Sequence, residues 1–203
     1  MNNIQKFYNA IAEKEAQDWY PNNLLLPLIK EFLSLLPTNP KVLDLGCGTG
    51  HESMRLHNEG ATVVGIDFSS ESIRIAKSKN KDIDFFLLDY SAIDKKIGTY
   101  NGIFSSGSII HLKKDELVEL IYRLRNNLEK NGLFLVVFQK GEGARIHYPE
   151  INGEKIERIV ERYTKERMIS IFKEARYEYV KEGILFEDPN NIWMNLIFKK
   201  CET

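Results

Sequence analysis

The chain has 203 residues, 43% of them hydrophobic and 28% charged, with a formal net charge of −1. That length suits one domain with a single well-buried core, and the charge balance argues against the broad basic face that duplex nucleic acid requires. Two cysteines, Cys47 and Cys201, supply neither a metal spacing nor a disulfide framework. The polar N-terminus lacks a signal-peptide core and no apolar run approaches the ~20 residues of a membrane span, so a cytoplasmic setting without a membrane partner is expected.

Residues 3–15 read as a helix carrying Tyr8, Ile11 and Ala12, broken at Trp19-Tyr20-Pro21. A second apolar helix is expected over 23–36, ended by Pro37 and Pro40. Both precede the first strand, so residues 1–37 form a helical cap on a core over 41–200, the whole being one domain, 1–203.

Alternation then begins. Strands are expected over 41–45, 62–66, 83–88 and 102–105, with helices after Gly50, ending at Gly60, and after Ser69 or Ser70. Residues 113–130 carry Leu117, Leu120, Ile121, Leu124 and Leu128 at the spacing of one buried helical stripe. Asn131-Gly132 turns into a continuous apolar strand over 133–139. Residues 140–163 are polar and irregular, the sort of long connection that serves as a lid or binding loop. A helix over 164–175 and strands over 177–186 and 191–199, joined at Asp188-Pro189-Asn190, complete the chain. The pattern predicts an α/β three-layer sandwich: a seven-stranded, mostly parallel sheet with an antiparallel strand from the C-terminal hairpin, plus the N-terminal cap.

The most informative stretch is Val42-Leu43-Asp44-Leu45-Gly46-Cys47-Gly48-Thr49-Gly50. A buried strand ends in an acid and turns through glycines that let backbone approach a ligand. Asp67 closes the next strand, where a ribose is usually gripped. The spacing is G-x-G-x-G rather than the G-x-G-x-x-G of dinucleotide sites. Asp44 would repel a pyrophosphate, yet it suits a cofactor carrying positive charge, as the ammonium and sulfonium of S-adenosylmethionine do.

At these residues the sequence resembles the class I S-adenosylmethionine-dependent methyltransferases, notably compact bacterial ones acting on small molecules. Val63-Val64-Gly65-Ile66-Asp67 is similar to their second motif, whose acid binds both ribose hydroxyls. Phe85-Phe86-Leu87-Leu88-Asp89-Tyr90 resembles the third, whose acid contacts the adenine amino group. Asn101-Gly102-Ile103-Phe104-Ser105-Ser106 stands at the fourth. Asn101, Lys130 and Arg176 depart from the pattern, the last standing where glycine is common. The resemblance implies S-adenosylmethionine as cofactor, held by Asp44, Gly46, Cys47, Gly48, Asp67, Phe68, Asp89, Tyr90 and Ser106.

The same resemblance implies methyl transfer to a small-molecule acceptor by a monomer or homodimer, with no nucleic-acid partner. His111 follows the fourth strand, at the rim where the methyl is presented, and can take a proton from a nucleophile. Tyr8 and Tyr20 in the cap, and Lys140, Tyr163 and Asn195, are candidate substrate residues. No histidine has a second ligand at metal spacing, so no metal is expected. The alternatives are a non-catalytic S-adenosylmethionine-binding module and an NAD-dependent oxidoreductase.

Overall fold

The computed structural model describes residues 3–93, 97–183, 186–188 and 191–201. Two helices, α1 (Asn3–Trp19) and α2 (Leu26–Ser34), come first. They are followed by β1 (Lys41–Leu45), α3 (His51–Asn58), β2 (Thr62–Asp67), α4 (Ser70–Lys79), β3 (Asp84–Leu87), β4 (Tyr100–Ser106), α5 (Lys114–Leu124) and β5 (Leu128–Gln139). Four short strands succeed them: β6 (Gly143–His147), β7 (Glu150–Ile151), β8 (Glu154–Lys155) and β9 (Arg158–Arg162). Then come α6 (Lys165–Glu174), β10 (Tyr177–Glu182), β11 (Phe186–Asp188) and β12 (Asn191–Lys200).

The main sheet runs β10-β12-β5-β4-β1-β2-β3, with β11 paired to β12. β1 to β5 are mutually parallel where they pair, and β12 is antiparallel to both β5 and β10. This is the expected seven-strand path with one antiparallel strand. Its apolar runs follow from the period of two. In β5, Leu133, Leu135 and Val137 pack with the cluster that includes Ile29 and Phe32 of α2, while Phe134, Val136 and Phe138 pack with Leu120 of α5 and Phe172 of α6. Both faces are therefore covered by helices.

Two expectations are corrected. The stripe over 113–130 is helical to Leu124 and then tightens into a 3₁₀ turn, Arg125–Asn127; Leu128 already begins β5. Asn127 Nδ2 donates to Gly98 O at 2.9 Å, which anchors that turn. The Asn131-Gly132 turn survives as an irregularity inside β5, with Asn131 at φ 63° and a register shift opposite Tyr100/Gly102. The irregular stretch over 140–163 is instead a β-ribbon: β6 pairs antiparallel with β9, and β7 with β8. Asn152 (φ 52°) and Gly153 (φ 81°) form its two-residue turn, the conformation that Asn-Gly favours in hairpins. Of the expected Asp188-Pro189-Asn190 turn, Pro189 and Asn190 lie outside the described residues.

The strand order reverses between β1 and its two neighbours, β2 and β4, which places a crevice at their carboxyl ends. α1 lies across that end. Asn9 Oδ1 accepts from Ser69 Oγ at 2.8 Å and from Glu71 N at 3.2 Å, and Gln5 Nε2 donates to Phe68 O at 2.7 Å. The cap is thus tied to the start of α4 and to the loop that follows Asp67.

Candidate functional site

A cavity of about 370 Å³ occupies this crevice, walled by the carboxyl ends of β1, β2 and β4 below and by α1 above. The volume falls in the range of small-molecule sites. Its glycines have separate tasks. A Cβ on Gly46 (φ 74°) would stand 2.1 Å from Ser108 Cβ and 2.5 Å from Tyr90 Oη, so Gly46 is bare to admit protein side chains. Gly48 (φ 51°) has nothing within 4 Å of such a Cβ, and it lines the cavity. It is Gly48 that leaves room for a ligand beside the backbone.

The floor is acidic. Asp67 Oδ2 accepts from Gly48 N at 2.9 Å, and Oδ1 from Ser69 N at 2.7 Å, which orients the carboxylate and leaves lone pairs toward the cavity. Burial pushes its pKa up to about 6 against those backbone hydrogen bonds. Asp44 is 2% exposed; burial pushes it up to about 7, despite the hydrogen bond from Ser53 Oγ at 2.5 Å, and the charge of Glu52 adds to the rise. Glu52, 6% exposed, is also pushed up to about 7 by burial, and the Arg55 guanidinium beside it (3.4 Å) offsets this in part. Glu52 Oε2 is buried with no hydrogen-bond partner. Two buried carboxylates, the charge of one raising the other and one with an orphaned oxygen, suit a cation. An ammonium or sulfonium fits this floor, as S-adenosylmethionine requires.

The far wall is built by three elements that are remote in sequence. Tyr8 Oη lies 2.8 Å from His111 Nε2, and His111 Nδ1 lies 2.6 Å from Ile159 O of β9. A carbonyl can only accept, so Nδ1 carries the proton and Tyr8 donates to Nε2. Burial, with the nearby Arg158 charge, lowers the His111 pKa to about 4, although the bond to Ile159 O opposes the shift; the ring is neutral at physiological pH. Arg158 Nη2 donates to Tyr8 Oη at 3.1 Å, and the guanidinium stands over the Phe7 ring at 5.1 Å. Tyr8, Phe68 and Tyr90 form a run of edge-to-face rings, with centroids 6.0 and 6.4 Å apart. This wall can accept a proton through Tyr8 while presenting flat apolar surface.

The cavity therefore gathers Asp44, Gly46, Cys47, Gly48, Asp67 and Phe68, together with Tyr90, Ser106, His111 and Tyr8. Burial, with the charges of Asp44 and Asp67 adding to it, pushes the Cys47 thiol well up, so it is inert. Five expected site residues stand apart from the cavity wall. Asp89 is exposed and caps the 3₁₀ turn Tyr90–Ala92, accepting from Ser91 N at 2.8 Å. Tyr20 is a strut, donating to Thr49 O at 2.8 Å and accepting from Asn80 Nδ2 at 2.7 Å. Tyr163 is buried in the core and donates to Leu112 O at 3.1 Å; Lys140 is exposed and bridges to Tyr163; Asn195 is wholly buried inside the sheet.

Sequence reasoning missed several wall residues. Glu15 and Trp19 share the helical face of Tyr8 at spacings of seven and eleven, a signal that was available. Glu52 reads from sequence as an ordinary acid in a first helical turn. Arg158 sits on one arm of a ribbon, opposite His147, and Trp193 on a strand whose partner is far away in sequence. Among the described residues no cluster of His, Cys, Asp and Glu could hold a metal ion, and no helix is long and apolar enough to cross a membrane.

Residues 42–132 match the family model described as a methyltransferase domain. The chain is 26% identical over 184 residues to a carboxy-S-adenosyl-L-methionine synthase of Campylobacter concisus, covering 86% of this chain and 76% of that protein. It is 33% identical over 98 residues to a tRNA U34 carboxymethyltransferase of Psychromonas ingrahamii, covering 45% of this chain and 29% of that protein. Its fold matches that of the 1,6-didemethyltoxoflavin-N1-methyltransferase of Burkholderia thailandensis with a TM-score of 0.75 at 15% identity, over 98% of this chain and 88% of the other. The chain thus spans three quarters of the first relative and under a third of the second.

Proposed function

We propose that the chain is a class I S-adenosylmethionine-dependent methyltransferase whose cavity transfers a methyl group to a small-molecule acceptor. The observation that carries the reading is the buried Asp44–Glu52 pair beside Gly48, with Glu52 Oε2 unpartnered. Two buried acids at the base of a cavity of this size suit a cationic small molecule. Asp44 and Glu52 are assigned to its positive groups, and Asp67 to the ribose hydroxyls.

S-adenosylmethionine supplies an electrophilic methyl on a sulfonium. The chain's own contribution is orientation and exclusion of water. Phe68 and Tyr90 offer the flat surface for the adenosine. Tyr8, tied to His111 and Arg158, holds α1 across the acceptor's end of the cavity. When the nucleophile arrives protonated, its proton passes to Tyr8 Oη as the phenol proton moves to His111 Nε2. Ile159 O then bonds to the imidazolium from the other side.

Cavity size supports a small acceptor. Among the relatives, two are named for a transfer-RNA substrate and one for 18S ribosomal RNA. The size of the cavity and the balanced charge of this chain weigh against so large an acceptor here. The test is transfer of label from methyl-labelled S-adenosylmethionine into the small-molecule fraction of a cell extract. Label confined to RNA or protein would overturn the small-molecule assignment.

A further inference from the structure

Arg158 is the sole lysine or arginine lining the cavity among the described residues. No carboxylate of the described residues pairs with it, and its Nε is buried with no hydrogen-bond partner. One Nη2 donor is spent on Tyr8 Oη, and the rings of Phe7 and Tyr8 support the guanidinium at 5.1 and 5.8 Å. A guanidinium braced in this way offers a fixed fork of donors, the arrangement that suits a planar carboxylate.

Its position separates it from the cofactor's floor. The charge of Arg158 is felt by Tyr8, Glu15 and His111, while Asp44 answers to Glu52 and Asp67, and Glu52 to Arg55. A cation placed beside the sulfonium would oppose cofactor binding; placed at the Tyr8–His111 end, it acts on whatever lies next to the proton acceptor. Trp193 lines the same cavity, adding flat apolar surface. A phosphate would draw on several cationic donors, and here there is one. Resting on the methyl-transfer reading above, we infer that the acceptor is a small carboxylic acid whose carboxylate pairs with Arg158, leaving its nucleophilic atom beside Tyr8.

The test uses small hydroxy and amino carboxylic acids, 4-hydroxybenzoate among them, each beside its primary amide. Methyl transfer from labelled S-adenosylmethionine is measured, and binding of each probe to the complex with S-adenosylhomocysteine is followed by calorimetry. Acids are expected to bind and to be methylated, with kcat/KM at least about 30-fold above their amides. Arg158→Gln should raise KM for the acids by a similar factor and abolish the preference, and Arg158→Lys should restore part of it. Loss of the Arg158–Tyr8 hydrogen bond alone would lower turnover of acids and amides alike, which separates a positioning role from recognition. Equal use of acids and amides overturns the inference, as does a panel with no acid bound or turned over. Weakening of S-adenosylhomocysteine by tenfold or more in Arg158→Gln also overturns it, because Arg158 would then hold the cofactor's own carboxylate. In each case intact S-adenosylhomocysteine binding by the unaltered protein leaves the methyl-transfer reading standing, and its absence sinks that reading separately.

Discussion

Tyr8 Oη donates to His111 Nε2 across 2.8 Å and 103 residues of sequence, joining the N-terminal helix to the turn after β4. The direction of that hydrogen bond follows from the other ring nitrogen, which faces Ile159 O. Three elements therefore meet at one proton-accepting position: α1, the turn Ile109–His111 and β9.

Tyr8→Phe removes the phenol and leaves the ring. With an acceptor that must lose a proton, turnover should fall by about 10²-fold, the usual contribution of one acid–base group. His111→Ala should fall similarly, and the double variant should lose little more than either single one. Affinity for S-adenosylhomocysteine, read by calorimetry, should stay within about twofold in all three. Additive losses, or unchanged turnover, would show that the pair does not act as a unit.

The buried acids set a pH dependence with a definite sign. The pKa values of Asp44 and Glu52 are raised by burial to about 7, above their unfolded values, so the folded state holds extra protons. Their stabilising contribution is complete below the unfolded values and is lost as pH rises through about 7. His51 and His111 are lowered to about 4 and act oppositely, but their contribution is nearly complete above pH 7. Stability of the ligand-free protein should thus fall by about 0.5–1 kcal/mol from pH 7 to 8.5 in urea titrations. Affinity for S-adenosylmethionine should rise over pH 6–8 as these acids ionise, and Glu52→Gln should flatten both trends. Stability that rises over pH 7–8.5 would contradict this assignment of the buried acids.

Arg176 follows α6 at φ 62°, where a glycine would carry no steric penalty. Its structural bonds are made by backbone: Arg176 O accepts from Arg125 Nη1 and from Cys201 N. Arg176→Gly keeps both and relieves the left-handed strain. We expect stability to rise by about 0.5–1 kcal/mol, a Tm increase of about 1–4 °C by calorimetry. A lower Tm would mean that unfolded-chain entropy outweighs the strain.

Much of the architecture is legible in sequence, because period-two and period-3.6 apolar patterns report local burial. The turn at Gly46–Gly50 and the acid at Asp67 lie on consecutive strands, so a linear motif captures them. Asp89 shows what such motifs leave out, since one of its carboxylate oxygens also caps the turn at Ser91. Tyr163 and Asn195 were plausible by residue type, but packing takes both into the core. Arg158 and Glu52 were invisible for a different reason. Arg158 depends on a hairpin that Asn152-Gly153 alone announced, and Glu52 on an orphaned oxygen that no sequence pattern shows.

The most direct measurement titrates the protein with S-adenosylhomocysteine and with NAD, each against unaltered protein and Asp67→Ala. S-adenosylhomocysteine at 100 times its Kd should stabilise the unaltered fold by roughly 2.7 kcal/mol. Asp67→Ala should remain folded and lose about 10²-fold in affinity or more, as two charge-assisted hydrogen bonds to the ribose are removed. NAD should leave both proteins unchanged. Stabilisation by NAD, or S-adenosylhomocysteine binding indifferent to Asp67, would contradict the placement of the cofactor in this cavity.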